Sequence, residues 1–330
     1  MRAAFYDRTG PAREVLTVGG IDTPEPGPGQ VRVRVRVSAV NPTDVKTRDG
    51  TTARPFDGVR VPHQDGVGDI DAVGDGVDAG RVGQRVWLWL ASPGGPGGAP
   101  VAEWGTAAEY CVVPEAQAVP LPGSAPDDLG ACLGVPAMTA YHCLFTGGSP
   151  HGTNVLVAGG AGAVGHYAVE IGGWAGATVV ATVSGPEKAE LAKRAGADLV
   201  VNYREPDAEQ RIRALVPHVD RVVEVALGAN LDLDLALLRN GGTIVTYAAA
   251  PQDPTVPVRR LMTANAVLRF VLLYGVPRED LAAAARELTI AVSEGALSPL
   301  PVHRFTLDDI AAAHEAVESG TTGKVLVDIG

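Results

Sequence analysis

The sequence contains little cysteine and no long apolar segment. Its three cysteines, Cys111, Cys132 and Cys143, show no C-x-x-C spacing and cannot form a disulfide framework. We therefore expect small buried cysteines in a reducing compartment. No run of eighteen apolar residues exists, and the N-terminus lacks the apolar core of a signal peptide. These absences predict a cytoplasmic protein without a membrane span.

Positive charge is also scarce relative to negative charge. The chain has 27 Lys and Arg residues against 38 Asp and Glu residues, a net charge of −11. This balance disfavours nucleic acid and other polyanions as partners, so a small molecule is the expected partner. A chain of 330 residues exceeds what one hydrophobic core usually supports, which predicts two domains.

The first 123 residues show the pattern of a compact β domain. The segment Val31–Val37 alternates strictly between valine and arginine, which predicts a strand with one buried and one wet face. Further short strands are predicted at Arg85–Leu90 and Ala108–Val113, separated by Pro/Gly turns such as 24–29. Short strands with little helix favour a β-barrel-like domain that ends at Leu121-Pro122-Gly123. The Gly- and Pro-rich segment 92–100 is predicted to be a surface loop.

The middle of the chain is organised around a glycine-rich turn. A buried-strand pattern at Val155–Ala158 is followed by Gly160, Gly162 and Gly165 in G-x-G-x-x-G spacing, and a helical pattern opens at Ala163. In such a turn the first glycine permits a tight bend, the second admits a pyrophosphate, and the third allows close packing of helix on strand. The helix N-terminus offers unpaired N–H groups to the phosphates.

Strands and helices alternate after this turn. Strands are predicted at 178–183, 199–201, 221–225 and 243–247, and an apolar run at 266–273; helices are predicted at 186–196, 208–216 and 232–238, with a turn at Gly241-Gly242. Helices at 278–293 and 307–318 and a strand at 324–329 close the chain. This alternation predicts an α/β architecture with a doubly wound parallel sheet, and it places the glycine turn where such a sheet binds a dinucleotide.

These segments together resemble the zinc-independent, zeta-crystallin-like quinone oxidoreductases of the medium-chain dehydrogenase/reductase superfamily. Ala39-Val40-Asn41-Pro42-Thr43-Asp44 is similar to the family's A-x-N-P-x-D segment, and Val73–Val77 followed by Gly83-Gln84-Arg85-Val86 to its V-G-x-x-V and G-D-R-V pair. The resemblance implies a GroES-like β-barrel catalytic domain at 1–123, completed by 274–330, and a Rossmann domain at 124–273. It also implies a homodimer joined through the nucleotide-binding domains.

The resemblance bears on metal binding as well. Zinc-dependent relatives have a cysteine where Asn41 stands, a His-Glu pair near His63-Gln64-Asp65, and often a four-cysteine lobe near 92–100. Catalytic zinc needs about three N, O or S ligands, and structural zinc usually four. Neither set is present in the sequence. His63 and Asp65 alone could ligate a metal only weakly and are better interpreted as polar residues that line the cleft, so the sequence predicts no metal. Without a Lewis acid, the chemistry that remains is hydride transfer to an acceptor that is already electron-poor.

The residues after the second strand of this domain favour NADPH over NADH. NAD-selective sites usually offer a carboxylate about twenty residues past the glycines, to bond the ribose 2′-OH. Here the strand ends in Thr182-Val183-Ser184-Gly185, and the first acid is Glu187. Ser184 is expected to donate to the 2′-phosphate, and the resemblance places Lys188 and Tyr203 at positions that hold it. Arg204 is the alternative cation.

The remaining site residues follow from the resemblance. It places Asn41 and Thr139 near the nicotinamide or the substrate carbonyl, and the N–H groups of Ala163 and Val164 on the pyrophosphate. The resemblance also implies that Leu227, Ala248, Phe270 and Leu272 line the cofactor path and that Lys324 closes over the cleft. Lys46, His63 and Tyr141 are the candidates for a proton donor, with solvent as the alternative.

The substrate side departs from the family. Members commonly have tyrosine where Lys46 stands, and some have another at Thr52, so aromatic surface that would stack on a quinone ring is missing. The expected function is NADPH-dependent reduction of a quinone or another electron-poor acceptor. Reduction of an enone or enoyl C=C bond is the alternative within the same chemistry. A non-catalytic NADPH-binding protein, crystallin-like or RNA-binding, is the alternative from another class.

Overall fold

The structure, a computed structural model, describes residues 1–52, 58–91, 104–250 and 252–330. The loop predicted at 92–100 lies outside these residues. The chain divides into two compact units. The first unit comprises Met1–Val135, Pro277–Ser293 and Pro299–Gly330, and the second comprises Pro136–Val276 and Glu294–Ser298.

The strands are β1 Arg2–Phe5, β2 Thr17–Gly20, β3 Gln30–Val40, β4 Asp65–Val73, β5 Arg85–Leu88, β6 Tyr110–Pro114, β7 Ala118–Pro120, β8 Asn154–Ala158, β9 Thr178–Val183, β10 Leu199–Asn202, β11 Val219–Glu224, β12 Leu238–Thr246, β13 Val267–Phe270, β14 Val302–Thr306 and β15 Lys324–Asp328. The helices are α1 Ala12–Val15, α2 Pro42–Asp49, α3 Asp127–Gly130, α4 Met138–Phe145, α5 Ala163–Trp174, α6 Pro186–Arg194, α7 Ala208–Leu215, α8 Leu227–Leu237, α9 Val258–Thr263, α10 Arg278–Ser293 and α11 Ile310–Glu318. In the ranges that the structure describes, none of these helices combines the length and apolar character needed to cross a bilayer.

The first unit is built on a sheet in the order β14-β15-β3-β4-β5-β7, with β6 also paired to β3. Its central strand β3 contains the alternating segment predicted as a strand. The valines at 31, 33, 35 and 37 are buried, whereas Arg34 and Arg36 are exposed, so the alternation places one face of β3 in the core. Two register shifts against β4 bend the strand. C-terminal strands β14 and β15 join this sheet, as the predicted GroES-like arrangement requires.

Helix α2 lies in a segment for which we predict no helix. Asn41 caps it: the Asn41 N–H donates to Asp44 Oδ2 at 2.7 Å, while the Asn41 side chain accepts from the Asp44 N–H. Pro42 occupies the first helical position, and Gly50, at φ +102°, ends the helix. The pattern N-P-x-D followed by glycine is thus a helix signal that our reading of the first domain overlooked.

The second unit is a parallel six-stranded sheet in the order β10-β9-β8-β11-β12-β13. Strands β8 and β11 are neighbours, and the order of strands along the chain reverses between them. This reversal is the topological switch point at which doubly wound sheets bind ligands. The predicted Rossmann architecture is therefore confirmed.

Strand β12 differs from the prediction of a turn at Gly241-Gly242. It starts at Leu238 and runs through both glycines, with a register irregularity against β11 between the pairs Val219–Leu238 and Arg221–Thr243. Gly241 has φ +74°, a left-handed conformation that glycine adopts without a steric penalty. The glycines therefore form a bulge within the strand rather than a turn before it.

Candidate functional site: a glycine turn and two buried polar clusters

The glycine turn of the second unit connects β8 to α5. The Gly160 N–H donates to Thr182 O at 3.0 Å, which ties the turn to the end of β9, and the Gly162 N–H donates to Gly159 O at 2.9 Å. Gly159 has φ +70°. The tight bend that we assigned to Gly160 therefore depends on Gly159, which precedes the G-x-G-x-x-G spacing.

Steric contacts explain the other glycines. A Cβ on Gly165 would lie 2.2 Å from Gly159 O, so the start of α5 packs directly on the turn. A Cβ on Gly160 would lie 2.6 Å from the Cβ of Ala181 in β9. A Cβ on the exposed Gly162 would lie 3.3 Å from Gly159 O. The first and third positions thus have no room for a side chain.

The first turn of α5 presents N–H groups without intrahelical partners. The first helical hydrogen bond runs from the His166 N–H to Gly162 O at 2.8 Å. The N–H groups of Ala163 and Val164, both half-buried, precede it and lie at the positive end of the helix dipole. This arrangement suits a phosphate group.

The carboxyl ends of β9 and β10 bring together the residues predicted to hold a 2′-phosphate. Strand β9 pairs in parallel with β10, and the Tyr203 N–H donates to Val183 O at 3.1 Å, so Tyr203 lies beside the residue that precedes Ser184. The Arg204 guanidinium lies 5.8 Å from the centre of the Tyr203 ring. Lys188 is exposed in the first turn of α6. This edge therefore offers a hydroxyl, a phenol and two cations.

The same edge of the sheet carries the residues predicted to line the cofactor path. Glu224, Thr246 and Phe270 end β11, β12 and β13 in register, so their carboxyl ends coincide. Leu227 begins α8 and is buried, whereas Ala248, Phe270 and Leu272 are exposed. Thr139 is buried within α4 of this unit.

In the first unit, Asn41, Asp65 and Lys324 form a buried cluster. Asn41 Nδ2 donates to Asp65 Oδ2 at 2.7 Å, and Lys324 Nζ donates to Asn41 Oδ1 and lies 3.6 Å from Asp65 Oδ2. The Val135 N–H donates to the other Asp65 oxygen at 2.7 Å. Lys324 is only 3% exposed, so here it is an internal partner of Asn41. These contacts determine which end of the Asn41 amide is nitrogen.

The pKa values of two carboxyl groups are raised here, that of Asp65 in this cluster and that of Asp44 on helix α2. Burial, and then the negative charge of Asp65, raise the pKa of Asp44 to about 8. Burial also raises the pKa of Asp65, although the Lys324 ammonium opposes that shift. We assign the charge to Asp65, because it has the cation and two N–H donors, and the proton to Asp44.

Hydrogen bonds occupy both ring nitrogens of His63. Thr106 Oγ1 donates to Asp65 O at 2.6 Å, so Ser38 donates to Thr106 (2.7 Å) and accepts from His63 Nδ1 (2.7 Å). His63 Nε2 then accepts from His314 Nε2 at 3.0 Å. Burial, followed by the charges of His314 and Lys324, lowers the pKa of His63 well below its usual value. Burial lowers the pKa of His314 to about 3. Both rings are neutral at pH 7.

Lys46 lies half-buried on α2. The described residues contain no group of three or more His, Cys, Asp or Glu side chains that could hold a metal ion.

Sequence reasoning missed two groups of buried acids. One is Asp65, which we considered only as a weak metal ligand, and the other is the pair Glu224 and Asp234 in the second unit, both 1% exposed or less. The available signal was the single acid in the otherwise apolar run Val222-Val223-Glu224-Val225.

Two family models match the chain: the alcohol dehydrogenase GroES-like domain over residues 27–123 and the zinc-binding dehydrogenase domain over residues 163–289. A quinone oxidoreductase of Lama guanicoe is 30% identical over 99% of this chain and 97% of its own length. Two solved structures are similar as well. One is an NAD-dependent alcohol dehydrogenase (28% identity, all of both chains, TM-score 0.86), and the other is a mycobacterial protein complexed with NADPH (28% identity, 99% of both chains, TM-score 0.82).

The two domain matches lie in both units, and the guanaco relative aligns with 99% of the chain. The chain therefore belongs to the quinone oxidoreductase family of the medium-chain dehydrogenase/reductase superfamily, and it is an oxidoreductase.

Proposed function

We propose that this protein is an NADPH-dependent reductase that delivers hydride, without a metal, to a quinone or another electron-poor acceptor. The observation that carries the proposal is the glycine turn. Gly159 O leaves no room for a side chain at Gly165, and Ala181 leaves none at Gly160. The first N–H groups of α5 have no intrahelical partner and suit a pyrophosphate. The guanaco relative, named a quinone oxidoreductase, supports the acceptor class.

The preference for NADPH rests on the edge formed by β9 and β10. A carboxylate at the end of β9 would repel a 2′-phosphate, and Ser184 stands there instead, with Lys188, Tyr203 and Arg204 nearby. The similar mycobacterial structure complexed with NADPH supports this choice, and the NAD-dependent similar structure makes it worth testing. When bound, NADPH supplies the hydride, and the protein supplies orientation and exclusion of water.

Metal independence rests on the available ligands. Zinc prefers thiolate, imidazole and carboxylate ligands. Asn41 offers only an amide, and the ring nitrogens of His63 are already bonded to Ser38 and His314. The Asp65 oxygens accept from Asn41 and Val135. Dialysis against EDTA should therefore leave turnover unchanged; loss of activity that is restored by zinc would contradict this part of the proposal.

Among the residues predicted to act in catalysis, we propose Asn41 and Thr139 as hydrogen-bond donors to the acceptor oxygen and Lys46 as a proton source. Asp65 and Lys324 fix the orientation of the Asn41 amide, and its Nδ2 has a second N–H besides the one that Asp65 accepts. A donor placed in this way would stabilise the anion formed as hydride arrives. We leave His63 out of this set, because it is buried, neutral and fully bonded.

An enone or enoyl acceptor is the second candidate. The observation that favours it is the half-buried Lys46 on α2, where members of the family commonly have tyrosine, together with the exposed Thr52, where some members have another. A lysine and a threonine provide no aromatic face on which a quinone ring would stack.

The test is NADPH oxidation, followed at 340 nm, against a panel of 1,4-quinones and a panel of 2-alkenals. We expect turnover with at least one panel, and the faster panel identifies the acceptor class. Tight NADPH binding without turnover of either panel would favour a non-catalytic NADPH-binding protein. Absence of NADPH binding would contradict the proposal as a whole.

We further propose a homodimer joined through the second unit. Strand β13 ends the sheet order, and apolar side chains are exposed on it (Val267 and Phe270) and on the preceding α9 (Val258 and Met262). Light scattering should give twice the mass of 34.0 kDa, and Met262→Glu should shift it towards the monomer. A wild-type monomer at micromolar concentration would refute this assembly.

A further inference from the structure

Glu224, the last residue of β11, organises the start of the next helix. It is fully buried (0% exposed). Its Oε1 accepts the Ala226 N–H and the Asn230 Nδ2–H, the latter at 2.9 Å. Helix α8 has no side-chain cap at Ala226, so the Glu224 carboxylate performs the anchoring that a capping residue usually provides. The turn 225–226 is thereby folded back over the end of its own strand.

This anchored segment touches the glycine turn. Strands β8 and β11 are neighbours at the switch point, so the segment after β11 faces the segment after β8. Val225 Cγ1 lies 3.3 Å from the position that a Cβ on Gly159 would occupy. Ligands of doubly wound sheets bind in the crevice between these two segments. Residues 225–227 therefore form one wall of this crevice.

A second buried acid supports Glu224. Asp234 is 1% exposed and lies one turn after Asn230 on the same face of α8. Within the part of the chain that the structure describes, no N–H or hydroxyl group of any other residue donates to Glu224 Oε2 or to Asp234 Oδ2. Two bare carboxylates in this environment would be costly in free energy, and a proton shared between them removes that cost.

The proton resides on Asp234. Burial, the charge of Glu224 and a hydrogen bond with Glu224 raise the pKa of Asp234 to about 9. Burial raises the pKa of Glu224 as well, but N–H groups of Ala226 and Asn230 and the positive end of α8 favour its ionised form. Asp234 is thus a neutral acid that donates to the Glu224 carboxylate at pH 7.

We propose that Glu224 and Asp234 are positioning residues for the cofactor: together they hold residues 225–227 against the glycine turn and so set the affinity for NADPH. This inference rests on the proposed function, in that the second unit must bind NADPH. Neither acid is required to contact the cofactor, and each acts through the backbone of the 225–227 segment.

The test compares the Kd for NADPH of two kinds of point variant of the full-length protein, measured by fluorescence titration. One kind removes the hydrogen-bonding group, and the other kind retains it. Glu224→Ala removes the acceptor for Ala226 and should raise the Kd for NADPH at least about tenfold, whereas Glu224→Gln keeps an acceptor oxygen and should stay within about threefold of wild type. Likewise, Asp234→Leu removes the donor and should raise the Kd. Asp234→Asn should keep a Kd close to that of wild type, because its amide still donates to Glu224.

Asp220→Ala is the matched control. Asp220 lies in the same strand, near its opposite end, and its Oδ2 accepts the Asn154 N–H at 2.9 Å. This variant should lower Tm without changing the Kd for NADPH. If Asp220→Ala and Glu224→Ala raised the Kd equally, or if Glu224→Ala left it unchanged while wild type bound NADPH, the positioning role would be overturned. If wild type bound no NADPH, the proposed function would fail first and this inference with it.

Discussion

Replacing Gly165 with alanine tests the glycine turn where it is tightest. The new Cβ would lie 2.2 Å from Gly159 O and 3.0 Å from the Gly160 Cα, whereas ordinary contacts begin near 3.4 Å. Because both neighbours are backbone, α5 and the turn must separate by about 1 Å. Overpacking of this kind costs about 1–3 kcal/mol, against a gain of about 0.5–1 kcal/mol for alanine over glycine in a helix. The difference is a net loss of about 1 kcal/mol, and at most about 2.5 kcal/mol, in the free energy of unfolding.

The effect on cofactor binding should be larger than the effect on stability. The displaced helix start carries the N–H groups of Ala163 and Val164, and a hydrogen bond to a charged group such as a phosphate contributes about 1.5–3 kcal/mol. We therefore expect the Kd for NADPH, measured by fluorescence titration, to rise at least about tenfold.

Gly173→Ala is the control for Gly165→Ala, because it changes the same helix. A Cβ on Gly173 meets nothing within 4 Å. This variant should gain up to about 1 kcal/mol in the free energy of unfolding and leave the Kd unchanged. If Gly165→Ala lost stability yet bound NADPH as tightly as wild type, the glycine turn would be a packing feature only.

Three further predictions concern charge. Lys188→Ala should lower the preference for NADPH over NADH about tenfold in steady-state assays, since a charged hydrogen bond at an exposed site contributes about 1.5 kcal/mol. Lys193→Ala, on the same helix, is the control and should leave this preference unchanged. An unchanged preference in Lys188→Ala would refute our 2′-phosphate site. The pKa of His314 is lowered to about 3, so below pH 6.5 the unfolded chain takes up a proton that the folded chain does not. The contribution of this residue should therefore lower the free energy of unfolding by about 1.4 kcal/mol for each pH unit below 6.5. Urea titrations of His314→Gln should show a shallower dependence of this free energy on pH than those of wild type. Lys324→Met leaves Asp65 buried without its cation and should lower the free energy of unfolding, measured by urea denaturation, by about 3–5 kcal/mol. Adding Asp65→Asn to this variant should restore part of that loss. A loss below about 1 kcal/mol in Lys324→Met would argue against the buried pair.

Strong local patterns made the second unit predictable from its sequence. The strand at 178–183 and the start of the next helix at Pro186 lie where we predicted them, because a β-branched run and a proline after glycine are unambiguous local signals. Helix α2 was also predictable from its N-terminal cap, Asn41. Because its residues are mostly polar, it lacks the apolar periodicity by which we identified the other helices.

Contacts between residues distant in sequence were beyond a search for local patterns. Lys324 lies 283 residues after Asn41 in the chain, and the pairing of β15 with β3 brings them together. Lysine is also one of the residue types that are least often buried. Similarly, Gly159 precedes the glycine spacing, and its left-handed backbone follows from the turn that Gly165 packs against.

The measurement that tests the account most directly is a single-turnover reaction of enzyme-bound NADPH with a 1,4-quinone or a 2-alkenal, followed at 340 nm with protiated and 4-deuterated cofactor. Direct hydride transfer predicts that the absorbance decays in one phase, more slowly with the deuterated cofactor, and at a rate that EDTA does not change. Decay that is insensitive to deuterium, or that ceases when metal is chelated, would contradict it.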